Sequence, residues 1–250
     1  GPAWSADQQG FSESGYDVDG SKLTLTVASS GIGGLKKLDQ DLTDVSIRVK
    51  LSVDGVSTST FQQTFKLVCR YTSPASFYAL KVYFGDSNFT LALEDDAGSI
   101  SDGGVSTATI TREGTPAAAT EYYVEFICYG SFLAGKIWKT TNPEPARWDV
   151  WTFDTGIAGP DDVGLGYGNS SATTRIGSFN DFEVTVPSFI DTTPTILQPI
   201  IIAPTAICSG EDVSSPTLRP TSASVIRDTF ELSGGPAGWG TADFGGDWQH

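Results

Sequence analysis

The chain has 250 residues and a formal net charge of -15, with 15 Lys and Arg against 30 Asp and Glu. That length buries a sizeable core in one large domain or two. Acidity on this scale repels phosphate backbones, and no basic run longer than Lys36-Lys37 offsets it, so nucleic acid is not an expected partner. The carboxylates are scattered along turns rather than gathered in a block, which reads as solubility. Cys69, Cys128 and Cys208 are too few and too far apart for a disulfide framework, and no CxxC pair suggests a metal knuckle. Cys69 and Cys128 lie in apolar runs, where a buried, reduced thiol is the default. Methionine is absent, including at position 1, so the sequence reads as a processed or excised piece, and Gly1-Pro2 is compatible with a cleaved tag. The most apolar stretch, residues 196–207, carries two prolines and is too short to cross a bilayer, so no membrane insertion is expected.

Taken in order, the chain shows short alternating segments with turn residues between them. Residues 22–27 (KLTLTV) follow Asp19-Gly20, a hairpin-favouring pair. Residues 44–53 (DVSIRVKLSV) place Val45, Ile47, Val49, Leu51 and Val53 on one face and Ser46, Arg48, Lys50 and Ser52 on the other, the pattern of a half-buried strand. Further strands are expected at 61–71, 77–84, 88–94, 105–112, 122–129, 132–139, 147–153, 163–167 and 173–186. No longer window keeps a helical period, and only residues 34–42 (GLKKLDQDL) are expected to form a helical turn or two.

About eleven strands with no βαβ rhythm imply an all-β fold of two antiparallel sheets packed face to face. The length of the strand region favours a jelly roll over a seven-stranded immunoglobulin-like sandwich. The run YGSFLAGKIWKTTNPEPARWDV at 129–150, followed by DDVGLGYG and SFNDFEVTVP, resembles the later strands of concanavalin A-like (laminin G-like) jelly rolls. The resemblance covers roughly residues 16–187 and implies a sandwich over 1–187. Beyond it, residues 188–227 are rich in Pro, Thr and Ser, with Pro194, Pro199, Pro204, Pro216 and Pro220 interrupting any regular element, and are expected to form an extended arm.

Residues 228–250 (DTFELSGGPAGWGTADFGGDWQH) look like the start of a further module. Gly245-Gly246-Asp247-Trp248 can be laid on Gly1-Pro2-Ala3-Trp4, as if one unit of a longer chain had been cut out of register. The stretch IIIAPTAICSGEDVSSPTLRP at 200–220 resembles the short Pro-Thr-x-Ile-x-Ser-x-Glu linkers of bacteriophage tail and appendage proteins, with Ser214-Ser215 departing from the usual glycine. That resemblance implies a virion or extracellular setting and a non-enzymatic structural or adhesive role. The expected partners are other copies of the chain or neighbouring appendage subunits. The tail then either folds back on its own sandwich or crosses to a neighbour's, with Phe230, Trp239, Trp248 and Trp4 as the assembly residues. A tail with no ordered partner is the plain alternative.

The sole histidine, His250, is the final residue, which argues against a Ser/His/Asp or Cys/His relay and against zinc. Concanavalin-like glucanases are associated by resemblance with a Glu-x-Asp-x-x-Glu strand, and the chain has no such string, so no enzymatic activity is expected. No cofactor is expected either. A structural calcium ion is the one open alternative, with hard oxygen donors at Glu94-Asp95-Asp96, Asp161-Asp162, and Asn180-Asp181 with Asp228. Turn-forming Asp is far commoner than ligand Asp in loops of this kind. The alternative function is carbohydrate binding to cell-surface glycan through Trp138, Trp148 and Trp151, with Glu144, Asn142 and Asp149 beside them. Against it stands the possibility that Trp138 and Trp148 cap the sandwich core while Glu144-Pro145 shapes a loop. Three residues apart on one expected strand, Trp148 and Trp151 face opposite sides, so at least one is expected to be exposed.

Overall fold

The computed structural model describes residues 4–7, 16–19, 22–28, 35–56, 63–73, 75–95, 98–100, 103–187 and 224–228, and every regular element among them is a strand. In chain order these are β1 (Trp4–Asp7), β2 (Tyr16–Asp19), β3 (Lys22–Val27), β4 (Leu35–Leu42), β5 (Val45–Val53) and β6 (Gln63–Ser73). Next come β7 (Ser76–Phe84), β8 (Phe89–Asp95), β9 (Gly98–Ser99), β10 (Gly104–Val105), β11 (Thr107–Ile110) and β12 (Tyr122–Tyr129). The last are β13 (Phe132–Lys139), β14 (Val150–Phe153), β15 (Asp161–Asn169), β16 (Arg175–Thr185) and β17 (Ser224–Asp228).

The strands form two antiparallel sheets. One runs β1-β4-β15-β6-β7-β8-β11 with β9 beside β8, and the other β10-β14-β13-β12-β5-β16-β3-β2 with β17 beside β16. This is the all-β jelly-roll sandwich expected from the alternation. The period of two decides which residues fill it: Val45, Ile47, Val49, Leu51 and Val53 of β5 are all buried in the inter-sheet core, as expected. They meet an aromatic cluster in which Phe65 packs on Phe84, Tyr167 and Phe179, and Phe84 and Phe89 pack on Tyr122. Two glycines set how closely the sheets approach. A Cβ at Gly135 would stand 2.6 Å from Leu80, and one at Gly177 would stand 2.4 Å from the Tyr167 ring. Cys69 and Cys128 are both buried and free in this core.

Several expectations change. Residues 35–42 are not helical: β4 pairs with β1 on one side and β15 on the other, so sheet hydrogen bonds satisfy a backbone too short to hold a helix alone. The segment expected as one strand at 105–112 is two. Val105 pairs with Trp151 in the second sheet, and Thr107–Ile110 pairs with β8 in the first, so the chain changes sheets there and closes one side of the sandwich. The prolines of the arm do not exclude structure throughout, because β17 begins beyond the last of them, Pro220, and pairs with β16. The antiparallel pairing expected around Asp19-Gly20 is present, with Asp19 of β2 opposite Lys22 of β3. Among the described residues no helix is long and apolar enough to cross a membrane.

Candidate functional site

The side chains of the second sheet that do not point into the core form an outer face, and the register orders them in rows. On β14, Val150 and Thr152 point inward and are buried, which sends Trp151 and Phe153 outward. Phe153 lies opposite Phe132 of β13, and Phe132 lies opposite Tyr129 of β12. The rings meet: Phe132 and Phe153 have centroids 5.5 Å apart, and Trp151 stands edge-on to Phe153 at 6.0 Å. Phe153 is 48% exposed and Val105, opposite Trp151 on the edge strand, is 44% exposed. Beneath them, Ile127, Phe132, Ala134 and Trp148 make a small apolar cluster separate from the main core, with Tyr129 and Trp151 packed against it.

The neighbouring part of this face is covered by the loop between β13 and β14. Glu113 accepts hydrogen bonds from the Lys139 amide and the Asn142 side chain, both at 2.9 Å, and fixes the start of the loop. Its middle is held by Glu144, which pairs with Lys136 at 2.5 Å and with Arg48 at 3.4 Å. At its end, Asp149 accepts from the Ile137 amide at 3.0 Å and from Arg112 Nη2 at 2.7 Å. Lys136 is 4% exposed and lies between two carboxylates, 3.0 Å from Glu125 and 2.5 Å from Glu144. Its ammonium also faces the Trp148 ring at 4.5 Å and the Trp138 ring at 5.5 Å. The Trp138 ring stacks on Tyr123 at 5.4 Å, and the Arg48 guanidinium sits over both of these rings.

All four sequence-predicted ligand residues, Trp138, Glu144, Trp148 and Trp151, therefore come to one face. They differ in access. Trp138 is 1% and Trp148 7% exposed, both on the outer face and neither capping the inter-sheet core, while Trp151 is half-buried. The expectation that Trp148 and Trp151 face opposite sides fails because the strand starts at Val150. Trp148 belongs to the loop, escapes strand alternation, and folds onto the same face as Trp151. Sequence reasoning missed Phe153, Phe132 and Tyr129. The signal was present in WDVWTF, where Trp151 and Phe153 are two residues apart on one strand. Among the assembly residues, Trp4 contributes its backbone to β1, opposite Leu38 of β4, whereas Phe230, Trp239 and Trp248 lie outside the described residues.

A hydrogen-bond network at the same end of the sandwich holds the aromatic row in place. Arg70 sits at a β-bulge of β6 with φ 48°, a left-handed conformation that turns its side chain away from the strand's alternation. Its buried guanidinium donates to the carbonyls of Thr43 (3.0 Å), Ile157 (2.8 Å) and Gly130 (2.8 Å), and pairs with Asp44 at 3.4 Å. Gly130 lies in the turn between Tyr129 and Phe132. Just after Phe153, Asp154 accepts a hydrogen bond from the Tyr78 hydroxyl and donates its own amide to Ser131 at 2.8 Å. Burial, and then the bond to Asp154, pushes the Tyr78 phenol well above its ordinary value, so it stays a donor.

The proposed calcium donors are engaged elsewhere in part. Glu94 pairs with Lys81, Asp161 accepts from Thr72, and Asp181 pairs with Lys50, whose ammonium is held above its usual range chiefly by that hydrogen bond. Among the described residues no group of three or more His, Cys, Asp or Glu is arranged to hold a metal ion. His250 and Asp96 lie outside the described residues.

No protein-family model matches the sequence, and no curated protein matches it. Solved structures match in fold. A native glycosidic hydrolase is similar with a TM-score of 0.51 at 8% identity, over 73% of this chain and 88% of that one. The β-glucanase of Bacillus licheniformis gives 0.50 at 9% identity, over 71% and 89%. A β-1,3-1,4-glucanase (lichenase) from a mouse hindgut metagenome gives 0.50 at 9% identity, over 73% and 91%. None of these is a phage-tail protein, and the phage part of the sequence resemblance finds no support among them. At such identities the likeness establishes the fold: the chain is a jelly-roll sandwich of the kind these glucanases share.

Proposed function

We propose that the chain is a non-enzymatic carbohydrate-binding, lectin-like module working outside the cell, and that its sugar-stacking surface is the row of Tyr129, Trp151 and Phe153, with the buried Phe132 ring supporting it. The observation that carries this reading is the pair Trp151 and Phe153, side by side on the outer face, with Phe153 nearly half exposed. Aromatic rings left in water at a sheet edge are costly unless they meet a ligand, and the C–H face of a pyranose suits them. Of the residues expected from sequence, Trp151 then contacts the sugar, while Trp148 supports the platform from beneath. Trp138 and Glu144 hold the covering loop through Lys136 and Arg48.

Binding is preferred to hydrolysis because of charge. A general acid needs a carboxyl free to meet the substrate, and the carboxylates nearest the row are tied into ion pairs, Glu125 and Glu144 with Lys136 and Asp149 with Arg112. The virion-appendage setting rests on the linker and tail motifs, whose residues are mostly outside the described ones, and the glycan reading does not require it. A glycan array with the full chain tests the proposal, alongside a reducing-end assay on soluble β-glucans and other polysaccharides. Retention of one glycan class that Phe153→Ala abolishes, with no new reducing ends, is the expected result. Release of reducing ends, or retention indifferent to Phe153, refutes it.

A further inference from the structure

The eleven residues of β16 are bordered on one side by β5, but the other side is divided between two strands. β3 accompanies β16 only as far as Asn180. A bulge follows, with Asp181 at φ 49°, and residues 182–185 then pair with β17 instead. This second stretch cannot retreat from its position, because Phe182 and Val184 are fully buried core residues. Without β17 it would present unpaired backbone groups at a sheet edge, which other strands readily add to.

We propose that this edge of β16 is a strand-accepting slot that takes Ser224–Asp228 from a second copy of the chain, joining two copies by strand exchange. The slot and strand are matched in register: Arg227 stands opposite Glu183 and Ile226 opposite Val184. An opposite-charge pair next to an apolar pair is the cross-strand pattern that favours one register over its neighbours. Among the described residues β17 pairs with β16 and with no other strand. Residues 186–223 separate the two elements, and a chain of that length reaches about 130 Å when extended, so the strand can reach the slot of a neighbouring copy as well as its own.

Exchange forms the same strand contacts as the closed single chain, so the balance depends on concentration. A long connection keeps a strand near its own slot at an effective concentration on the order of mM or less, which crowded copies match. A reciprocal exchange closes as a pair, with each copy donating one strand and accepting one. The partner is thus identified by the chemistry of the slot: a short antiparallel strand with a basic residue opposite Glu183 and an apolar one opposite Val184.

Cysteine pairing across the slot tests the proposal, in a Cys208→Ser background of the full chain. One chain carries Glu183→Cys, another carries Arg227→Cys, and a third carries both. The first two are mixed at high concentration, partly unfolded in urea, returned to buffer and oxidised, with circular dichroism confirming that each is folded. The doubly substituted chain should link internally and run as a monomer when dilute. The mixture should give a disulfide-linked heterodimer at several times the yield of dimers from either single variant alone. Heterodimer yield no greater than that background, with the double variant still linking internally, overturns strand exchange. Failure of the double variant to link at all overturns the slot itself.

Discussion

Replacing Arg70 should weaken the fold more than replacing any surface charge, and the magnitude follows from its contacts. The guanidinium makes three bonds to carbonyls at 2.8 to 3.0 Å and one pairing with Asp44. Hydrogen bonds to charged groups contribute about 1.5–3 kcal/mol each. Thr43 and Gly130 lie at exposed turns where water can replace the donor, so Arg70→Ala should cost about 3–5 kcal/mol rather than the full sum. Backbone conformation adds a second, sharper expectation. Arg70 has φ 48°, where a Cβ costs roughly 1 kcal/mol that glycine avoids, so Arg70→Gly should be more stable than Arg70→Ala, the reverse of the usual order in a strand. Urea unfolding followed by tryptophan fluorescence measures both. With a slope of about 2–3 kcal/mol per M, the alanine variant should lose about 1–2 M in midpoint. An alanine variant within about 1 kcal/mol of the parent, or a glycine variant less stable than alanine, would refute the reading of this network.

Three further outcomes follow from the same structure. Gly177→Ala drives a Cβ into the Tyr167 ring 2.4 Å away and should cost about 1–3 kcal/mol by urea unfolding; an unchanged midpoint would show that the sheets are not in contact there. Burial pushes the phenols of Tyr78, Tyr122 and Tyr167 upward, and that of half-buried Tyr83 to about 12. The unfolded chain therefore releases protons above pH about 10 that the native state keeps, so stability should hold below that pH and fall above it, by up to about 1.4 kcal/mol per pH unit for each buried phenol. Lys50 acts in the same direction and Lys66, lowered mainly by burial, against it, so a urea midpoint unchanged up to pH about 11 would contradict the tyrosine assignment. Arg70→Ala should also reduce glycan retention, because the network fixes the turn after Tyr129 and the residue after Phe153; retention equal to the parent's in a still-folded variant would separate the network from the site.

The strand pattern was legible wherever alternation was strict. Residues 22–27, 122–129 and 132–139 were bounded correctly because turn residues flank each run, and in 22–27 apolar residues at every second position also leave one choice of face. Alternation says nothing of partners. The sheet change between Val105 and Thr107 was invisible because both halves carry the same local pattern, and the β4 strand was hidden because its leucines also suit a helical turn. At the candidate site, the sequence brought forward the correct tryptophans but misjudged their access. Trp138 and Trp148 are covered through a loop held by Lys136, Arg48 and Arg112, and two of those ion pairs, Arg48 with Glu144 and Arg112 with Asp149, join residues too distant in sequence to leave a local signal. Phe153 was overlooked for the opposite reason: an exposed phenylalanine on a strand resembles an ordinary core residue until the register shows which way it points.

The central claim is that sugars stack on the exposed aromatic row, and the most direct measurement is calorimetric binding of the glycan retained on the array. The parent chain, Phe153→Ala and Lys139→Ala, on the same strand system but outside the row, would be compared. Loss of one stacking ring should weaken binding by about 10–100-fold, equivalent to about 1.5–3 kcal/mol, while Lys139→Ala stays within about 2-fold of the parent. Equal affinity for the parent and Phe153→Ala, both folded, would contradict the claim.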